Sequence, residues 1–80
     1  MQIPIIKKIV EQFSIEQLKK AEENLMEELP LGIEIEGKDE GEQLTHILAA
    51  VWVKEEMERE GINVAKAVRN YTVKVRNSIS

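Results

Sequence analysis

The sequence predicts an all-α protein, a small bundle-like array of about four helices crossed by one extended, non-helical segment at residues 31–41. Three observations carry that prediction. Apolar residues recur at helical spacing in four stretches, residues with known helix-starting or helix-stopping chemistry separate those stretches, and only one short run alternates with a period of two. At 80 residues the chain fits a single domain, 1–80, near the size at which a lone apolar core suffices without metal, disulfides or a partner.

The organising stretch is LTHILAAVWVKEEM, Leu44 to Met57, in which every residue from Ile47 to Val53 is apolar. On a helix, Leu44, Ile47, Leu48 and Val51 fall on one stripe, and His46, Ala50, Val53 and Met57 on a second more than 90° away. A helix apolar on two faces needs two partners. The first stripe is assigned to the core. The second has the 4-3-4 spacing of a helix–helix seam, and Ala49 beside Ala50 allows close backbone approach. The expectation is a two-fold homodimer through His46, Ala49, Ala50, Val53 and Met57, which acid would weaken if His46 is desolvated there. The competing arrangement covers this face with the first helix or the extended segment of the same chain.

The other elements follow in order. Pro4 suits the first turn of a short helix, whose apolar face is Ile5, Ile6, Ile9, Val10 and Phe13. Ser14 and Gln17 have capping-box spacing, with Phe13 and Leu18 at the staple positions, so a second helix is predicted from Ile15 to Leu29, stopped by Pro30 and Gly32. Its stripe of Ile15, Leu18, Leu25, Met26 and Leu29 is interrupted by Glu22. That carboxylate either reaches the rim or is buried against Arg69, Arg76 or His46. Ile33, Glu34, Ile35 and Glu36 alternate between glycines; one such segment makes no sheet on its own, so Ile33 and Ile35 are expected to plug the helical array, the alternative being that the segment pairs with its copy in a second subunit. Asp39 and Glu42 open the third helix and Gly61 closes it. Asn63 caps a fourth, from Val64 to about Ser78, with Val64, Val68, Tyr71, Val75 and Ile79 on its apolar face and Val73 stranded on the other. Trp52, Tyr71, Phe13, Leu18, Leu25, Leu44, Leu48, Val51, Val68 and Val75 are the expected core.

Charge is divided along the chain. All fifteen acids lie at or before Glu60, while Lys66, Arg69, Lys74 and Arg76 follow with no acid after them. These four cations form a basic face that raises nucleic-acid binding, but the net charge of −4 and the acidic run before Gly61 oppose it. The bland alternative is a solvated face or docking on acidic neighbours.

No catalytic or metal site is predicted. The chain lacks cysteine, which excludes disulfides and thiolate chemistry and suits the cytoplasm. His46 is the only histidine, and neither a di-iron motif, an EF-hand loop, a P-loop nor a nucleophile elbow occurs. No cofactor is expected, and no apolar run reaches the roughly 18 residues of a membrane span. The leading expectation is a cytoplasmic, non-enzymatic homodimer or protein-interaction module; the second is a small nucleic-acid-associated regulator using the basic face.

Overall fold

The computed structural model describes residues 3–79, with backbone alone for Ser78 and Ile79. Four helices succeed one another: α1 (Ile3–Gln12), α2 (Ile15–Met26), α3 (Glu40–Glu60) and α4 (Val64–Ile79). The described residues contain no strand, and no helix among them is long and apolar enough to cross a membrane. The all-α prediction therefore holds, including the extended segment between α2 and α3.

Local chemistry explains most helix ends. Ser14 is extended, at φ −81° and ψ 164°, and forms both arms of a capping box: its hydroxyl accepts from the Gln17 N–H, and the Gln17 side chain accepts from the Ser14 N–H. Asp39 caps α3 by accepting the Glu42 N–H at 2.8 Å, and Asn63 caps α4 by accepting the Lys66 N–H at 2.9 Å. Gly61, at φ 63°, closes α3 in the left-handed conformation that a residue without Cβ adopts cheaply.

The end of α2 departs from prediction. The helix stops at Met26, three residues before Leu29. Glu28 takes φ 60°, the Leu29 N–H donates to the Asn24 carbonyl at 2.8 Å and the Glu28 N–H to the Leu25 carbonyl at 3.1 Å. This is a Schellman turn with glutamate in the position that glycine usually holds. Leu29 precedes Pro30 and is disfavoured from helical geometry, so the helix has to end before the proline itself. Met26 and Leu29, predicted for the apolar stripe, are consequently 70% and 51% exposed. The buried side of α2 centres instead on Leu18 and Ala21.

All three other helices pack on α3, and α1 also meets α4. Beneath them the core gathers Ile6, Ile9 and Val10 of α1, Leu18 and Ala21 of α2, Ala67 and Val68 of α4, and five residues of α3, Ile47, Ala49, Ala50, Val51 and Val53. Each of the larger side chains contributes roughly 1.5 to 3 kcal/mol by burial. The extended segment is a strap: Ile35 is buried and Ile33 half-buried against the core, as the plug reading required. The strap lies close enough that a Cβ on Gly37 would meet the Gln43 backbone nitrogen at 2.9 Å, so only glycine fits. The side chain of Ile79, predicted for the apolar face of α4, lies outside the described residues.

The strained Glu28 makes a test of the α2 terminus. Its side chain is exposed, so Glu28→Gly removes steric strain without losing packing. Stability should rise by about 0.5 to 1 kcal/mol. A urea midpoint that stays level or falls would show that α2 does not end in this turn.

Candidate functional site

Both predicted stripes of α3 are covered largely within one chain, so the stripe assigned to a partner copy is core as well. His46, Ala49, Ala50 and Val53, assigned to a dimer interface, are fully buried within one chain, and Met57 is half-buried against the same core. Leu48, assigned to the core, is 46% exposed, while Ile47 and Val51 of its stripe are buried. The physical reason is coverage: three helices and the strap converge on α3 and together bury more of its circumference than a single stripe.

His46 fastens the strap. Its Nδ1 stands 2.7 Å from the Glu36 carbonyl oxygen, which can only accept, so Nδ1 carries the proton. The Gln43 side-chain amide donates to the Ile35 carbonyl at 3.1 Å one turn earlier. His46 Nε2 is buried and has no hydrogen-bond partner among the described residues. Thus the only histidine is occupied in joining two segments and does not face solvent, where a substrate would be met.

Where the strap passes α1, a hollow of about 120 Å³ is lined by Ile5, Lys8, Ile9, Gln12, Glu34 and Glu36. Lys8 donates to Glu36 across it at 2.9 Å. The hydrogen bond to Glu36 and its charge raise the Lys8 ammonium above its ordinary 10.5, though an exposed pair of this kind adds little stability. Ligand pockets usually run from about 300 Å³, so this hollow is small for a cofactor. Among the described residues no group of three or more acidic or histidine side chains is placed to hold a metal ion.

The polar centre that sequence reasoning missed is Glu56. It is only 7% exposed, yet it lies within the acidic run KEEMERE, which reads as a solvated helix end. Arg59, one turn later, donates to Oε1, and the Asn70 amide of α4 donates to Oε2 at 3.1 Å. A carboxylate in this position needs such donors because burying it unpaired is costly. The available signal was its spacing: Glu56 follows Val53 by three and Ala49 by seven, on the small-residue side of α3. Beside it, Trp52 and Tyr71 pack with ring centroids 5.4 Å apart and planes at 53°, and the Lys74 ammonium stands 5.9 Å from the Trp52 ring centroid.

The predicted basic face is thereby divided. Lys74 turns toward Trp52, whereas Lys66, Arg69 and Arg76 are exposed on the outer side of α4 with Val73, itself 47% exposed. No ion pair engages Lys66, Arg69 or Arg76 among the described residues. Glu22 adopts the rim alternative. It is half-buried in a shallow hollow with Lys19, Glu23, Met26 and Glu27, while Arg69 and Arg76 stand on a helix that does not touch α2 and His46 is bound to the strap.

Two substitutions probe this interface. Asn70→Ala leaves Glu56 one donor short and should cost about 1 to 2 kcal/mol, against less than about 0.5 for the exposed Lys66→Ala; equal urea midpoints would mean that Asn70 contributes nothing to holding Glu56. Burial raises the Tyr71 phenol above its ordinary 10.0. The folded chain therefore keeps that proton to higher pH than the unfolded chain, and stability should fall as pH rises from about 10 through the folded value. Lys8 drives a fall in the same direction, so Tyr71→Phe should flatten the dependence without abolishing it. Urea midpoints between pH 9 and 11, beside the absorbance titration of this single tyrosine, check the sign.

No curated protein and no solved structure matches the chain. The model of a family of unknown function (DUF6952) matches residues 1–80.

Proposed function

We propose that this chain, which belongs to the family of unknown function DUF6952, is a non-enzymatic helical interaction module that works as a homodimer inside the cell. The observation that carries the reading is the state of its surface. Met26, Leu29, Leu48 and Val73 are large apolar side chains between 46% and 70% exposed, whereas His46, the natural candidate for a catalytic base, is sealed beneath the strap. The small size of the chain favours the same reading, because a second copy extends a core that 80 residues can only just supply. The residues first assigned to the dimer seam are core in this reading, so the association uses outward-facing side chains. Lack of cysteine suits a reducing compartment.

A second reading, a small nucleic-acid-associated regulator, rests on Lys66, Arg69 and Arg76, exposed side by side on α4. Against it stands the net charge of −4, which repels a polyanion from the rest of the molecule.

Light scattering over a concentration series and passage over heparin at low salt separate the two readings. The module should approach twice 9.2 kDa as concentration rises and should flow through heparin. A chain that stays at 9.2 kDa and elutes late, with steep salt dependence, would transfer the proposal to the regulator.

A further inference from the structure

Two helix faces of this chain are complementary and cannot meet within one copy. On α4, Val73 has Arg69 four residues before it, Arg76 three after it and Lys66 seven before it, which places three exposed cations around an exposed apolar side chain. On α2, Met26 has Glu22 and Glu23 one turn before it and Glu27 after it, all lining one shallow hollow. The remaining residue of that hollow, Lys19, leans toward Glu55 of α3, its ammonium 3.8 Å from that carboxylate. None of these three cations or three carboxylates is in an ion pair among the described residues. Both α2 and α4 pack on α3 but share no contact with each other. The attraction between the faces is therefore unused inside the chain and available between chains.

We infer that the occupant of each face is a second copy of this chain, the Val73 face of α4 in one copy docking on the Met26 face of α2 in the other. The inference rests on the homodimer reading above and names its surfaces. The charges are complementary: Val73 is ringed by three cations and Met26 by three carboxylates, with Lys19 drawn to Glu55, so opposite patches attract and either patch meeting itself is penalised. One helix-on-helix contact is small beside the roughly 800 Å² per partner of a stable interface. In a closed two-fold dimer the contact forms twice, α4 of each copy on α2 of the other.

Charge reversal tests the pairing directly. Arg69→Glu with Arg76→Glu makes α4 acidic like α2, and Glu23→Arg with Glu27→Arg makes α2 basic like α4. All four side chains are exposed, so thermal melts followed by circular dichroism should show both variants folded. Sedimentation equilibrium at low salt should give a dimer for the unchanged chain, weakened by added salt. Each variant alone should dissociate roughly tenfold or more readily, because both of its contacts now oppose like charges. An equimolar mixture of the two variants should recover a dimer within about threefold of the original affinity, since both contacts are then complementary again. A dimer unaffected by either variant would overturn these surfaces and leave the homodimer reading standing on another face. Weakening without recovery in the mixture would overturn the pairing, and an unchanged chain that remains monomeric at about 100 μM would overturn both this inference and the homodimer reading.

Discussion

Helix α3 is apolar around more of its circumference than one neighbour can cover, and the arrangement of every other element answers that constraint. α1, α2 and α4 each pack on it, and the strap crosses its first turns. Removing α3 would leave the remaining helices with one contact between them, that of α1 with α4. The buried arc of α3 takes in Ala49, Ala50 and Val53 together with Ile47 and Val51, and the small side chains at Ala49 and Ala50 permit close axial approach. Bulk at Leu48 and Trp52 is pushed outward or to the margin.

Polar groups near this hub are used as fasteners. His46 bonds the strap through the Glu36 carbonyl, Gln43 bonds it through the Ile35 carbonyl, and Glu56 joins α3 to α4 through Asn70. Each such bond adds only about 1 kcal/mol net, but leaving any of these buried groups unpaired costs more than the bond gains. They therefore act as selectors of register: the strap can sit at one height on α3, and α4 at one rotation, without orphaning a buried donor or acceptor. His46 Nε2 is the exception, a buried nitrogen that the packing leaves without a partner.

The consequence for function is a division of labour between inside and outside. Residues with chemical capability, His46 and Glu56, are held in the interior joints, whereas the surface offers charge and isolated apolar side chains. The carboxylates Glu22, Glu23 and Glu27 of α2 and its C-cap and the cations Lys66, Arg69 and Arg76 of α4 stand on helices that share no contact, so their opposite signs do not cancel directly.

How much of this was legible in the sequence depends on the range of the forces involved. Helix number, the capping box at Ser14, the caps Asp39 and Asn63 and the left-handed Gly61 follow from interactions within a few residues, and the sequence by itself determined them; the alternation of Ile33 and Ile35 marked the strap, but what it packs against was tertiary. The early end of α2 was partly visible in the proline at position 30, but not the glutamate that accepts a left-handed conformation, which local preference disfavours. What only the tertiary structure decided is what covers the second face of α3. Periodicity marks both of its stripes as apolar and cannot say whether a second copy or the same chain covers them. That depends on packing by three helices and a strap from elsewhere in the chain, which buried most of both stripes, placed His46 and Glu56 in the interior and left Leu48 and Met26 facing outward.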